Sequence, residues 1–370
     1  ILSGSPLLNA FRIPPGIDYV KLPCLARSVA GEYGTKYLRM DYAQLLRMRA
    51  NLIVNAALDF APDLVLVDKK PLGIDSELEA CLRLLQRRLD PHIVLLLRDI
   101  LDAPKATVPV WRKHRYHELL AEFYSKILVV GDPRVFDVVS QYRFPPASAA
   151  LTEYCGYVAR DVRPESPTRL RRELGLPEQP TVLVAAGGGE DGFDLLATYL
   201  RGLRESRTQA ARSSVLFCGP EMPPAQRTQL RAMAAGLPGI HLHDFTDDMM
   251  THVGAADLVV SMGGYNTVCE CLSARRRMLI VPRIAPVREQ QLRADALAAQ
   301  GLASTIHPRD LTPAALMSRV DTLLGASAPL PRAASVINMQ GLEGVRAAIT
   351  ALLQPALPNR SARPVSAGVA

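Results

Sequence analysis

The chain has 370 residues, of which 48% are hydrophobic and 21% are charged. At about 100–200 residues per domain this length predicts two domains, and the apolar content excludes disorder of the whole chain. Its apolar runs fall short of the roughly 18 residues that a membrane span needs. Six cysteines are too few for a disulfide scaffold, and residues 1–10 carry no basic residue typical of a signal peptide. We therefore expect a cytoplasmic protein.

The net charge of +7 comes from 43 basic and 36 acidic residues. Residues 1–160 hold 21 basic and 17 acidic groups, and the remainder is similarly mixed, so the charge does not gather in one tail or stripe. Aromatic residues make up only 5% of the chain. Without a concentrated basic patch or interleaved aromatic side chains, no nucleic-acid partner is expected.

Short apolar runs alternate with helical patterns along the first part of the chain. The runs 63–68, 92–97 and 126–130 are typical of buried strands, and the spacing predicts helices at 78–89 and 112–125. Continuous apolar strands joined by helices predict a parallel sheet that is covered on both faces.

Residues 159–180 are polar and contain four prolines, so we interpret 161–180 as a linker with one short helix at 167–174. A second alternation follows. It predicts strands at 181–186, 214–218, 239–243, 258–261 and 278–281, and helices at 193–205, 225–235, 266–274, 288–300, 313–324 and 336–353. Residues 354–370 are rich in Pro, Ser and Ala and are expected to be disordered. The prediction is an α/β fold of two doubly wound, Rossmann-like domains, 1–160 and 181–353, that face a central cleft and close over a ligand.

The opening residues Ile1–Ser5 resemble the end of a strand with nothing before it. A doubly wound domain normally begins with a strand and a glycine-rich turn, ahead of this point. We therefore expect that the N-terminal domain lacks its first βα unit, about 30 residues by the usual size of such a unit.

A first glycine-rich turn, Gly187, Gly188 and Gly189 followed by Gly192, lies between a predicted strand and a helix. Its G-x-G-x-x-G spacing would let backbone N–H groups approach a phosphate, although a tight turn without any ligand has the same pattern. A dinucleotide site would also need an acidic residue after the next strand, which ends in 217–220 without one. A Walker-type loop needs lysine, and no lysine follows Lys126.

A second turn, Gly263 and Gly264, opens a helix that carries Asn266, Thr267 and Glu270. Free N–H groups and the helix dipole favour an anion at this point. Thr267 and Glu270 are three residues apart and share a helix face. A phosphate over Thr267 would place an attached ribose near Glu270, whose two oxygens suit a vicinal diol. The alternative is a glutamate that only complements the helix dipole.

A third group of polar residues follows the strand that ends at Pro282. It comprises Arg283, Glu289, Gln290 and Gln291, on a loop that enters a helix. Glutamine offers both a donor and an acceptor, which fits sugar hydroxyls, although a simple helix start has the same composition. All three turns follow strands, and open α/β sheets bind ligands at the carboxyl ends of their strands.

Metal sites are not expected. His241 and His243 share a strand face but have no third ligand nearby, and Cys269 and Cys271 diverge on a helix. The chain also lacks an Asp-x-Asp motif. We therefore expect no metal and no cofactor, with diphosphate charge met by helix ends and arginine.

Together these motifs resemble the C-terminal domain of glycosyltransferase family 28. The residues that carry the resemblance are Asp247–Met249, Ala255–Ser261, Gly263–Glu270, Pro282, Glu289 and Gln290. In the first domain, Asp68–Gly73 and Arg98–Asp102 resemble a bacterial group of predicted glycosyltransferases. The resemblance implies a GT-B fold, in which two Rossmann-like domains flank a cleft and the second binds a nucleotide sugar.

By the same resemblance, the Gly187–Gly189 turn and Thr267 face the diphosphate, Glu270 the ribose, and Gln290 or Gln291 the donor sugar. The family's catalytic base often lies in the first glycine-rich loop of the N-terminal domain, and no such loop is found here. Asp68 and Asp99 follow first-domain strands and are the candidate acid or base, although both residues could simply cap the turns that follow them.

The expected function is that of an inverting glycosyltransferase that uses a uridine diphosphate sugar. Its acceptor would be a glycan, a lipid-linked molecule or a small molecule, and peripheral membrane contact stays open. A nucleotide-sugar epimerase or hydrolase on the same fold is the first alternative, because a fold does not set the reaction. A non-catalytic nucleotide-sugar-binding protein is the second, and an NAD(P)-linked oxidoreductase is disfavoured by the missing acidic residue.

Overall fold

The computed structural model describes residues 1–6, 8, 13–27, 33–205, 212–326 and 333–354. Its strands are β1 Leu2–Ser3, β2 Val20–Lys21, β3 Leu25–Arg27, β4 Tyr33–Thr35, β5 Leu64–Asp68, β6 His92–Arg98, β7 Lys126–Val130, β8 Thr152–Tyr154, β9 Thr181–Ala185, β10 Ser213–Phe217, β11 Ile240–His243, β12 Leu258–Ser261, β13 Arg277–Ile280 and β14 Ser304–Thr305. The tail predicted to be disordered lies, from residue 355 onward, outside the described residues.

The helices of the first half (residues 1–160) are α1 Tyr42–Phe60, α2 Glu79–Arg88, α3 Pro104–Lys113, α4 Tyr116–Phe123, α5 Val138–Gln141 and α6 Pro146–Leu151. Those of the second half are α7 Pro167–Glu173, α8 Phe193–Glu205, α9 Pro224–Ala234, α10 Met249–Ala255, α11 Tyr265–Ala274, α12 Glu289–Ala299, α13 Pro313–Leu324, α14 Ala333–Val336 and α15 Gly341–Leu353.

Among the described residues, the second half forms a six-stranded parallel sheet with the order β11-β10-β9-β12-β13-β14. The chain moves outward from β9 in one direction, then returns to β12 and moves outward in the other. This is the doubly wound order, and its switch point lies between β9 and β12. Val182, Val184 and Val260 are fully buried in these two central strands, as the continuous apolar runs predict.

Among the described residues, the first half contains a four-stranded parallel sheet, β5-β6-β7-β8, an antiparallel strand pair β3–β4 and a parallel strand pair β1–β2. The α/β fold with parallel sheets that the sequence predicts is therefore confirmed. The predicted single helix at 112–125 is wrong, because α3 ends at Lys113 and α4 begins at Tyr116. Arg115 between them has a left-handed backbone (φ 52°), which no α-helix can continue through.

Helix α7 lies in the stretch that the sequence predicts to be a linker, and it packs on the second half. Leu170 is buried against α10, where a Cβ on Gly254 would come within 2.7 Å of its Cδ1. Arg171 donates from Nε to the carbonyl of Ala255 and pairs with Asp257. The composition suggests a linker because a short helix with two buried side chains has too few apolar residues to stand out.

The last helix, α15, crosses back to the first half. Ala348 is buried on the sheet of the first half against Val94, Leu128 and Cys155. The sequence prediction assigns this segment to the second domain, because chain order alone does not show which apolar surface a terminal helix covers. The described residues include no helix long and apolar enough to cross a membrane.

Candidate functional site

Two glycine-rich turns meet at the switch point of the second sheet. One follows β9 and leads into α8, and the other follows β12 and leads into α11. Since β9 and β12 are hydrogen-bonded neighbours, both turns lie at the same edge of the sheet, beside each other. Open α/β sheets bind ligands in the crevice at this position.

The first turn exposes backbone toward the crevice. Gly189 has φ of 95°, and a Cβ there would come within 2.3 Å of the Cys218 carbonyl, so packing requires glycine. At Gly187 a Cβ would meet nothing within 4 Å, and at Gly188 it would meet only the Glu221 carboxylate at 3.5 Å. The space in front of Gly187 and Gly188 is therefore open to a ligand.

The second turn leaves the end of α11 uncapped. Gly263 has φ of 75° and lies against Ile280, whereas Gly264, the N-cap residue, has an ordinary φ of −58° and open space around its Cα. No side chain of the described residues caps α11. The first-turn N–H groups of a helix have no intrahelical partner, and together with the dipole they favour an anion here.

Glu270 lies one turn into α11, and Asn266 and Thr267 precede it. Burial raises the pKa of the Glu270 carboxyl to about 7, and the Arg160 guanidinium opposes that rise. Arg160 is exposed and also contacts Asn266, with 3.5 Å between Nη2 and Oδ1. Within the described part of the chain, the side chain of Glu270 makes no hydrogen bond or ion pair. A half-buried carboxylate without a partner is costly, and hydroxyl donors on a ligand would relieve that cost.

The third predicted group of polar residues forms a hydrogen-bond network at the N-terminus of α12. The backbone N–H of Arg283 donates to Gln290 Oε1 at 2.9 Å, and Arg288 donates to Gln291 Oε1 at 2.8–3.0 Å. Both glutamine oxygens are therefore occupied by donors. Each side-chain amide nitrogen remains available to an acceptor oxygen such as a sugar hydroxyl.

Arg283 connects two of the three turns. Its Nη1 lies 3.0 Å from Asp191 in the first turn, and its Nη2 lies 3.5 Å from Glu289 at the start of α12. Among the residues that the structure describes, its buried Nε has no hydrogen-bond partner. The structure therefore brings the predicted donor-site residues of all three turns to one edge of the sheet.

The two candidate acidic residues of the first half differ in their surroundings. Asp68 ends β5 and is exposed. Asp99 is fully buried, and its oxygens accept from Arg293 Nε and Nη2 at 2.6 and 2.7 Å, from the Tyr157 hydroxyl and from the Ile100 N–H. In this conformation Asp99 has no free face for a substrate hydroxyl. Asp68 therefore stays the better candidate of the two for a base.

The sequence does not predict the contacts that join the two halves. Lys69 lies 4.0 Å from Glu289, Lys36 lies 3.6 Å from Glu221, and the Arg288 N–H donates to Asp102. Arg293 is also missed. Its buried neighbours in α12 are Gln290, Ala294 and Leu297, so a charged residue at an apolar-face position is the signal that could have found it.

A surface cavity lies away from these turns. Its volume is about 610 Å³, and it is lined by Asp257, Arg275, Arg276 and Arg277 at the amino ends of β12 and β13. Ligands of open α/β sheets bind at the opposite, carboxyl ends. The glycine turns, and not this cavity, therefore form the candidate site.

Comparison with known proteins finds a family match in the second half of the chain. Residues 181–343 match the glycosyltransferase family 28 C-terminal domain. A protein of Methanopyrus kandleri named as an uncharacterized glycosyltransferase is 25% identical over 161 residues, which is 43% of each chain. The UDP-N-acetylglucosamine–N-acetylmuramyl-(pentapeptide) pyrophosphoryl-undecaprenol N-acetylglucosamine transferase of Corynebacterium efficiens is 31% identical over 165 residues, 44% of this chain and 43% of that one. The matched segment thus spans less than half the length of these relatives.

Solved structures share the fold over a larger part of the chain. The calicheamicin glycosyltransferase has a TM-score of 0.54 at 19% identity, covering 84% of this chain and 78% of that one. The glycosyltransferase of kitacinnamycin has a TM-score of 0.55 at 16% identity, covering 86% of both. Residues 181–343 are thus similar to the glycosyltransferase family 28 C-terminal domain, and the chain has the GT-B fold.

Proposed function

We propose that this protein is a glycosyltransferase that binds a uridine diphosphate sugar at the two glycine turns. The observation that carries the proposal is the Glu270 carboxylate, half-buried and unpaired among the described residues, one turn beyond the open N-terminus of α11. A nucleoside diphosphate satisfies both features, because its diphosphate suits the helix end and its ribose hydroxyls suit the carboxylate.

The diphosphate would lie between the turns. Gly187 and Gly188 leave open space on one side, and Gly264 leaves it on the other. Thr267 adds a hydroxyl in the first turn of α11. Backbone donors that are already oriented stabilise a leaving diphosphate without reorganisation during the reaction.

The donor sugar would lie toward α12. The free amide nitrogens of Gln290 and Gln291 can donate to sugar hydroxyl oxygens. Arg283, whose Nε has no partner, adds positive charge beside the leaving group. The uridine and the N-acetylglucosamine in the name of the Corynebacterium efficiens relative support a UDP-linked donor.

The acceptor would enter from the first half. Asp68 is exposed at the carboxyl end of β5, and Lys69, the next residue, reaches Glu289 at the start of α12. A carboxylate here could take the proton of an acceptor hydroxyl as that oxygen attacks the anomeric carbon. In an inverting reaction the diphosphate leaves from the opposite face, so base and leaving group lie on opposite sides of the sugar. The acceptor would be a glycan, a lipid-linked molecule or a small molecule.

The test combines binding with product analysis. Titration calorimetry with uridine diphosphate should show saturable binding, and labelled UDP-sugars should yield a glycosylated acceptor from a panel of acceptors. The first alternative is an epimerase or hydrolase, since one Listeria monocytogenes protein whose name includes UDP-N-acetylglucosamine 2-epimerase shares the fold. Formation of an epimer or free sugar without any acceptor would favour that alternative. The match to glycosyltransferase family 28 favours transfer.

A further inference from the structure

A buried ion pair touches the second glycine turn from behind. Arg293 of α12 is 1% exposed and Asp99 of the first half is fully buried. Two guanidinium nitrogens of Arg293 donate to Asp99, and the third, Nη1, donates to the Gly263 carbonyl at 2.8 Å. One guanidinium group therefore connects the first half to the backbone of the candidate donor turn.

The contact with the Gly263 carbonyl sets the direction of the next amide. In a planar trans peptide the C=O and the following N–H point in opposite directions. Because the carbonyl of Gly263 points at Arg293, the N–H of Gly264 points away from Arg293, and among the described residues this N–H has no hydrogen-bond partner. That N–H is among the donors that the diphosphate would use.

Two tyrosines reinforce this arrangement. The Tyr157 hydroxyl donates to Asp99 at 2.7 Å, and its ring stacks on Tyr265, the first residue of α11, at 5.6 Å between centroids. The Val158 N–H donates to the Tyr265 hydroxyl at 3.3 Å. The start of α11 is thus held by residues that precede the second sheet in the chain.

We infer that Arg293 is a positioning residue that orients the Gly264 amide toward the donor diphosphate, and that Asp99 of the first half holds Arg293 in place. The inference rests on the proposed donor site. It makes donor affinity depend on contact between the two halves, although neither Asp99 nor Arg293 touches the donor.

The substitution Asp99→Asn tests this with little change of shape. The chain offers a matched control in Arg49 and Glu77, a second buried ion pair that lies wholly in the first half. Arg49 donates to the Glu77 carboxylate from Nε at 2.6 Å and from Nη2 at 2.8 Å. Glu77→Gln should lower the melting temperature as Asp99→Asn does, but should leave uridine diphosphate affinity unchanged. Asp99→Asn should weaken that affinity by about tenfold or more, the usual effect of a lost charged hydrogen bond.

Hydrogen exchange without nucleotide gives a readout that does not depend on binding. Peptides covering 262–268 should exchange about tenfold faster in Asp99→Asn than in the wild type, by the same loss of about one charged hydrogen bond, and at the wild-type rate in Glu77→Gln. Tyr157→Phe removes one hydrogen bond to Asp99, keeps the ring, and should give a smaller change of the same sign. Tyr157→Phe replaces Asp99→Asn as the test if the Asp99→Asn variant does not fold.

Unchanged exchange at 262–268 in both Asp99→Asn and Tyr157→Phe would overturn the inference, as would equal effects of Asp99→Asn and Glu77→Gln on affinity. Absence of uridine diphosphate binding in the wild type would instead contradict the proposed function, while the exchange experiment would still decide whether Asp99 orders the turn.

Discussion

The carboxylate of Asp99 and the guanidinium of Arg293 are 194 residues apart in the chain and form a bidentate ion pair that solvent does not reach. Removing one partner of such a pair typically costs about 3–5 kcal/mol, because it leaves a buried charge uncompensated. The pair therefore stabilises one relative placement of the two halves. The second glycine turn contacts that pair through the Gly263 carbonyl, so the geometry of this turn and the placement of the halves are linked.

The open space at Gly264 gives a first prediction. Gly264→Ala should hardly change stability, since φ is −58° and a Cβ would meet nothing within 4 Å. The added methyl would project into the space assigned to the diphosphate, so uridine diphosphate affinity should fall by about tenfold or more, an order of magnitude per 1.4 kcal/mol. Calorimetry and thermal melts measure the two quantities.

Gly325→Ala is the matched control for this change. Gly325 ends α13 with an ordinary φ of −77°, and its Cβ would lie at 3.4 Å from the nearest atom, the Asp321 carbonyl oxygen. Because it lies away from the glycine turns, affinity should stay at the wild-type value. Wild-type affinity in Gly264→Ala would mean that the diphosphate does not lie over this turn.

The return of α15 to the first half gives a second prediction. Ala348 is 5% exposed on the first sheet, whereas the adjacent Ala347 is exposed. Ala348→Glu would bury an unpaired charge and should lower the free energy of unfolding by several kcal/mol, on the order of the cost of burying a polar group without a partner. Ala347→Glu should change it by no more than about 0.5 kcal/mol, as is usual for surface positions.

Denaturant unfolding with limited proteolysis distinguishes these outcomes. New cleavage sites in Ala348→Glu should fall in the first half, against β6 and β7, because α15 covers that sheet. New cleavage confined to the second sheet would contradict the packing of α15 on the sheet of the first half.

The pKa of Glu270 gives a third prediction. Burial raises the pKa of this carboxyl to about 7, above its ordinary value. In the unfolded chain the group loses its proton near pH 4.3, so between about pH 4 and 7 the folded state binds more protons than the unfolded state. Stability from this group is therefore highest below pH 4 and falls as pH rises to 7, by no more than about 4 kcal/mol.

Glu270→Gln isolates that contribution, because glutamine does not titrate. The difference in free energy of unfolding between Glu270→Gln and the wild type should grow in favour of the variant from pH 4 to 7 and then level off. Uridine diphosphate affinity of the wild type, relative to the variant, should rise through pH 7 as the carboxylate forms. A difference that does not vary with pH would show that Glu270 titrates at its ordinary value.

Local patterns predict the elements of the second half well. The predicted bounds of α8, α13 and β12 agree with the structure, because apolar periodicity and flanking glycine or proline define them locally. The three turns of the candidate site are likewise predicted, since each follows a strand that the pattern identifies, and the strand order places them together.

Long-range contacts could not be predicted in the same way. Nothing local shows that Asp99 pairs with Arg293, because the pair depends on how two sheets face each other. From the sequence alone, an acidic residue at a strand end fits a catalytic role as well as it fits a buried ion pair. The placement of α15 and the packing of α7 were missed for the same reason: an amphipathic helix shows that it is covered, but not by which surface.

The most direct test of the proposed donor site is the affinity of Glu270 variants for uridine diphosphate. Charged hydrogen bonds contribute about 1.5–3 kcal/mol each, so Glu270→Ala should weaken binding by roughly 10- to 100-fold, and Glu270→Gln should fall between the alanine variant and the wild type. Titration calorimetry beside thermal melts measures this, with Ala347→Glu as a control that leaves the site intact. The expected result is weaker binding without loss of melting temperature, since the unpaired carboxylate stabilises nothing in the free protein. Unchanged affinity with a lower melting temperature would contradict the assignment and would make Glu270 a structural residue of α11.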